Sequence, residues 1–212
     1  MDEAPAGFGC VSENRGPIAE CDPSEPYSVR SGRVPIALRV RPDRSRAYYL
    51  FMAEIRKATE ADKPAVWRII KAVIAGGDTY VFDAATPEEE MLTYWFSPEK
   101  HVYVAEENGE VLGTYWLKAN QPGLGDHIGN GAYMVSPDAM GKGIGKLMAV
   151  HSIEEGRRIG YHAIQFNFVV KSNTVAVNLW KSVGFEIIGE IPDAIRHSKN
   201  GLTNAYIMYR RL

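Results

Sequence analysis

Cysteine is almost missing from this chain. Its 212 residues hold two, Cys10 and Cys21, and none follows. Everything beyond them therefore has no disulfide framework, no cysteine nucleophile and no thiolate metal site. A reducing, cytoplasmic setting fits that pattern. A basic surplus is missing as well. The formal charge is −2 at pH 7, which argues against a nucleic-acid partner. No uninterrupted apolar stretch approaches the ~20 residues of a membrane span. The five histidines form neither H-x-x-x-H nor H-E-x-x-H, so no metal is expected. No G-x-S-x-G turn supports a serine nucleophile, and no internal repeat is visible.

Lysine is missing in a particular place. Every lysine lies at Lys57 or later, while residues 1–51 hold both cysteines and half the arginines and prolines. That segment is acidic from Asp2 to Glu25 and Arg-rich from Arg30 to Arg46. Its apolar residues keep neither a helical nor a strand period, so a disordered or extended tail is expected over 1–51. It lacks the basic start and apolar run of a secretory signal. A further expectation is that Met52 is the natural start and the tail belongs to an over-long reading frame. The globular domain is expected over 52–212.

Within that domain the patterns alternate. Ala53–Ala58 reads as a short strand. Thr59 caps a helix whose Val66, Ile69, Ile70, Val73 and Ile74 share one face. Thr86-Pro87-Glu88 opens a second helix. His101–Glu106 and Val111–Leu117 alternate as strands around Asn108-Gly109, a type I′ hairpin signal. A polar, Gly-rich loop is expected over 119–130 and a strand over Gly131–Val135. A helix follows from Ile144 to near Gly160, then a strand over Ala163–Val170. Asn173 caps a last helix, which Gly184 stops. Short strands at Phe185–Ile188 and Ala205–Met208 end the chain. The order β-α-α-β-β-β-α-β-α-β-β implies a mixed α/β (α+β) fold with helices on a central sheet.

Between the strand ending at Val135 and the helix beginning at Ile144 lies a turn with glycines at 141, 143 and 145. It is not a Walker A loop, because no Ser or Thr follows either Gly-Lys pair. It is not a dinucleotide fingerprint, because Met148 stands where a third glycine is needed. Glycine is required where side chains would block a ligand from the backbone. The N–H groups of Gly141, Lys142, Gly143, Ile144, Gly145 and Lys146 can then converge on a pyrophosphate at a helix N-terminus. Read alone, the turn fits a plain tight turn with solvated lysines equally well.

A second signal follows, Asn173-x-x-Ala176-x-x-Leu179-Trp180, with Gly184-Phe185 beyond it. Together the two resemble the acyl-CoA-binding core of the GNAT acetyltransferase superfamily, whose turn reads R/Q-x-x-G-x-G/A. Met140 occupies the Arg/Gln position here. The resemblance spans about residues 55–212. Gln165–Val170 and Arg196-His197 look like a bacterial and fungal branch acting on small molecules. The resemblance implies a GNAT fold with a mostly antiparallel sheet and helices on both faces.

It also implies direct transfer from acetyl-CoA to an amine, with no covalent enzyme intermediate. A backbone N–H on Tyr133-Met134-Val135 is expected to polarise the thioester. Asn173 is expected to meet the pantetheine arm. Trp180 stands where the family often has an acidic tyrosine, and an indole N–H has no usable acidity. It fits either a wall of the thioester pocket or a core aromatic. Candidate proton acceptors are Asp78, which also suits a turn, and His127, which also suits a solvated loop. Tyr133 is a candidate for orienting substrate or acting as a substitute acid. Arg196 and His197 suit either the acceptor pocket or a surface loop. The expected partner is a small amine or amino acid, with a homodimer common in the family. A peptide acetyltransferase and a non-catalytic acyl-CoA sensor are the competing readings.

Overall fold

The computed structural model describes residues 53–212. The expected tail over 1–51, both cysteines and Met52 lie outside the described residues. Seven strands and four helices follow one another as the sequence order implied. They are β1 (Glu54–Lys57), α1 (Lys63–Ile74), α2 (Glu88–Trp95), β2 (His101–Glu107), β3 (Glu110–Ala119), β4 (Ile128–Val135), α3 (Ile144–Ile159), β5 (Ala163–Val170), α4 (Thr174–Ser182), β6 (Glu186–His197) and β7 (Gly201–Arg211). The strands form one sheet in the order β1-β2-β3-β4-β5-β7-β6. Every neighbouring pair is antiparallel except β4 and β5.

Strand periodicity divides the core into two faces. Val102, Val104, Trp116 and Met134 turn toward α1 and α2, where Val66, Ile70, Met91 and Trp95 are buried. Tyr103, Tyr115, Leu117 and Phe166 turn the other way, against Ile144, Met148 and Ile153 of α3 and Trp180 of α4. The central strand β3 is buried on both faces, which is why its sequence reads as an almost continuous apolar run. At the β2–β3 turn Asn108 and Gly109 both take positive φ, 52° and 82°, as a type I′ hairpin requires. The start of α1 is fixed by Asp62, whose carboxylate accepts from the Thr59 N–H and hydroxyl and pairs with Arg56.

Two boundaries differ from the sequence expectation. The strand expected to begin at Gly131 begins at Ile128. Its glycines are packing residues: a methyl on Gly129 would lie 2.7 Å from the Tyr161 ring, and one on Gly131 2.8 Å from the Trp116 carbonyl oxygen. The final two strands are much longer than the short runs expected. β6 is a mostly exposed edge strand, broken by register shifts and by Asp193 at φ 50°, so it carries no clean alternation.

Candidate active site

The site begins where the sheet comes apart. β4 and β5 run parallel but pair only at Ile128 with Ala163 and Gly129 with Ile164. Beyond that point β4 stays with β3 and β5 stays with β7, so the strands splay. A cleft of about 760 Å³ opens between them. Antiparallel pairing alternates along a strand. Ser136 donates to Leu112, so the peptide groups of Gly131, Tyr133 and Val135 face away from β3, into the splay. At the closed end an amide chain runs from Gln165 to Asn167 to Asn120, with bonds of 2.8 and 2.6 Å.

The glycine turn stands at the open end. Gly141, Gly143, Ile144 and Gly145 line the cleft. Gly141 and Gly143 take φ of 77° and 82°, and a methyl on either would meet nothing within 4 Å. Open space, not protein, lies over them. Gly145 has a different reason: its Cβ would come 3.3 Å from Leu179, so it lets α3 approach α4. The first intrahelical donor of α3 is Leu147, to Gly143. The N–H groups of Gly143, Ile144, Gly145 and Lys146 have no partner among the described residues. Lys142 is the exception to the expected convergence, because its N–H turns back to the Ala139 carbonyl at 3.3 Å. The Lys142 and Lys146 side chains are exposed and do not line the cleft.

Asn173 and Trp180 form the α4 wall. The Asn173 Oδ1 accepts from the Ala176 N–H at 3.1 Å, which caps the helix and leaves its amide nitrogen for the cleft. Trp180 is 6% exposed and packs 4.7 Å from the Tyr133 ring and 4.5 Å from Phe166. It is buried in the core and also lines the cleft.

The candidates for proton transfer separate. The Tyr133 ring stacks on Tyr115, and its hydroxyl donates to Ser152 at 2.8 Å on the α3 side. Burial pushes its ionisation up, and its hydroxyl is engaged by Ser152. What Tyr133 offers the cleft is its peptide group. Met134 is buried against α1 and α2. His127 lies apart from the other candidates. It is exposed at the closed end of the splay, where its carbonyl accepts from the His162 N–H, and it does not line the cleft.

Asp78 lines the cleft, on the segment between α1 and α2. That segment is tied across to the β6–β7 turn, where the Ser198 N–H and hydroxyl donate to Gly77 and Gly76. His197 also lines the cleft, with its Nδ1 accepting from Lys199 and Asn200. Arg196 is exposed and stays outside.

One residue in the cleft had no motif to announce it. Tyr80 reaches in from the same segment and makes two hydrogen bonds to Tyr133: it donates to the carbonyl at 2.8 Å and accepts from the N–H at 2.9 Å. Its only trace in the sequence is an aromatic pair, Tyr80 and Phe82, in an otherwise turn-rich stretch after Gly76-Gly77. Among the described residues no cluster of three metal-ligating side chains occurs, and no helix is long and apolar enough to cross a membrane.

An open parallel pair with a glycine-lined helix N-terminus at its mouth is a site for a long phosphate-bearing ligand. Known proteins resemble this chain. The model of the acetyltransferase (GNAT) family matches residues 70–185. The N-acetyltransferase aca1 of Schizosaccharomyces pombe is 38% identical over 98 residues, covering 46% of this chain and 47% of that protein. A mycothiol acetyltransferase of Arthrobacter is 35% identical over 94 residues, covering 43% of this chain and 28% of that protein. The matched stretch thus spans less than half the length of either relative. A GCN5-related N-acetyltransferase from Kribbella flavida superposes with a TM-score of 0.73 at 36% identity, over 76% of this chain and 98% of that one. A family match across more than half of the sequence, on a fold shared almost end to end with a solved member, places this chain in the GNAT acetyltransferase family.

Proposed function

We propose that this protein is an acetyl-CoA-dependent N-acetyltransferase that acts on the primary amine of a small molecule. The observation that carries the reading is the parting of β4 from β5 beyond Gly129, with the free N–H groups of α3 at the open end. The diphosphate of coenzyme A fits the turn. The pantetheine arm fits the splay between Asn173 and the exposed peptide edge of β4. The thioester then lies near Tyr133, and the amine enters from the side roofed by residues 76–82 and His197.

In this reading the amine nitrogen attacks the thioester carbonyl carbon, the C–S bond breaks, and the thiol of coenzyme A leaves. Holding the two partners in contact supplies much of the acceleration. An N–H of the β4 edge stabilises the charge that gathers on the acyl oxygen. Asp78, the carboxylate of the cleft, takes the ammonium proton directly or through water. No tyrosine or cysteine stands at the Trp180 position, so the leaving thiolate gains its proton from solvent.

The acceptor end also narrows the substrate. Tyr80, Phe82, Tyr94 and Trp116 line it, and among the described lining residues there is no lysine or arginine. A carboxylate on the acceptor would be desolvated there, and the nearby Lys100 ammonium already lies over the Tyr94 and Trp116 rings and donates to the Tyr94 carbonyl. The reading therefore favours an amine whose remaining part is neutral and largely apolar over a free amino acid. The absence of cysteine from residues 53–212 suits a cytoplasmic setting.

The test is thiol release from acetyl-CoA with a panel of neutral-bodied arylalkyl amines and free amino acids. Release with the arylalkyl amines above the amino acids supports the proposal. Tight coenzyme A binding with no release across the panel would replace it with an acyl-CoA sensor.

A further inference from the structure

The open edge of β4 presents peptide groups at Gly131, Tyr133 and Val135, and two of them are already occupied from within the chain. The Gly131 N–H donates to the Asn130 Oδ1 at 2.7 Å. The Tyr133 N–H donates to the Tyr80 phenol at 2.9 Å, and the same phenol donates to the Tyr133 carbonyl at 2.8 Å. One side-chain oxygen thus does what a neighbouring strand would do with two backbone atoms. It accepts where a thioester carbonyl would accept. It donates where the N–H of an attacking amine would donate. Burial pushes the Tyr80 ionisation up, so the hydroxyl stays neutral and keeps both roles.

We propose that the Tyr80 phenol holds the place of the reacting acyl group in the free protein, and that acetyl-CoA seats its thioester by displacing it from Tyr133. This rests on the acetyltransferase reading above and adds a named residue to it. No helix or strand ladder holds Tyr80 in place. It lies in the stretch between α1 and α2, which has no regular secondary structure. The stretch is tied to Ser198 only through the carbonyls of Gly76 and Gly77, before Tyr80 is reached.

Beside it, the Thr79 hydroxyl and the Trp116 Nε1 are buried with no hydrogen-bond partner among the described residues. Buried polar groups in that state gain when a shift brings them to water or a ligand. The Tyr80 ring stacks on Phe82 at 6.1 Å, and Phe82 meets Tyr94 at 5.2 Å edge-on. Asp78 shares the stretch, so release of Tyr80 also resets the carboxylate that faces the amine.

The experiment compares the full chain with its Tyr80→Phe variant, measuring dissociation constants for acetyl-CoA and for coenzyme A by calorimetry. Coenzyme A has no acyl oxygen and does not compete for the Tyr133 N–H. A single hydrogen bond is worth a factor of a few, so Tyr80→Phe is expected to tighten acetyl-CoA about 5-fold while coenzyme A moves less than about 2-fold. An equal change for both ligands, or weaker acetyl-CoA binding alone, overturns the proposal while leaving the acetyltransferase reading standing. Failure of both proteins to bind either ligand overturns that reading itself. A crystal structure of the unaltered protein with acetyl-CoA gives a second readout that no variant can spoil. Tyr80 away from Tyr133, with the acyl oxygen on its N–H, is the expected result. Retention of both Tyr80 bonds beside bound acetyl-CoA overturns it.

Discussion

Gly109 and Gly143 form a natural controlled pair for testing the phosphate turn. Both take φ 82°, and a methyl at either position meets nothing within 4 Å. An L-residue in the left-handed region costs roughly 1–2 kcal/mol. Alanine at either site is therefore expected to lower stability by the same amount, about 2–8 °C in melting temperature for a domain of this size. Their surroundings differ. Gly109 closes the β2–β3 hairpin, and Gly143 lines the cleft beside the free N–H groups of α3. A methyl on Gly143 stands in the space that a phosphate oxygen must enter. Hydrogen bonds to charged groups contribute roughly 1.5–3 kcal/mol each, so losing one weakens coenzyme A by roughly 10- to 100-fold. The assay is calorimetric titration with coenzyme A alongside thermal melts of Gly109→Ala and Gly143→Ala. Matched melting temperatures with a selective loss of affinity in Gly143→Ala support the reasoning. Matched melting temperatures with unchanged affinity in both would refute it, and the turn would be only a turn.

Three further outcomes are expected. Asp78→Asn should lower kcat/KM for the amine by about 10²-fold, whereas His127→Ala, outside the cleft, should stay within about 2-fold; steady-state kinetics on both variants decides between the two sequence candidates. Asp62 is 6% exposed and takes Arg56 through two contacts of 2.8 Å. Arg56 holds its carboxyl well below the usual carboxylate range. Because the Arg56 side chain is 41% exposed, Asp62→Asn should cost about 2 kcal/mol in chemical denaturation, less than a fully buried pair. A depressed folded-state pKa stabilises above the unfolded value of about 4, so the gap between wild type and Asp62→Asn should close as pH falls below it. Lys100 has its ammonium 3.3 Å from the Tyr94 ring centre, and burial, then Lys118, bring its pKa down from 10.5 to about 8. The unfolded chain binds more protons between those two values, so stability should rise with pH across that window, by about 1–2 kcal/mol. Lys100→Met should abolish that rise in denaturation curves taken at pH 7, 8.5 and 10.

Much of the fold was legible because its signals are local. The capping sequence at Thr59, the Asn108-Gly109 turn and the apolar stripe of α1 each depend on residues within a few positions of one another. The long β6–β7 ribbon was not legible, because β6 is an exposed edge held by its neighbour's backbone and not by an apolar period. Gly129 looked like a loop residue because nothing local reveals the Tyr161 ring that excludes a side chain there. The turn and Asn173 were readable as motifs. Tyr80 was not, since it meets Tyr133 from 53 positions away in the chain.

The amino-acid sequence by itself determined the order of the elements, the glycine turn before α3, the cap at Asn173 and the absence of an acid at Trp180. All of these are properties of neighbouring residues and their backbone preferences. Tertiary structure alone decided that β4 and β5 part beyond Gly129, that the Tyr133 hydroxyl turns to Ser152 while its peptide group faces the cleft, and that Asp78 reaches the site and His127 does not. Those outcomes depend on the pairing of strands far apart in the chain. A strand's register and the direction of its free hydrogen-bonding edge are fixed only when the distant partner is in place.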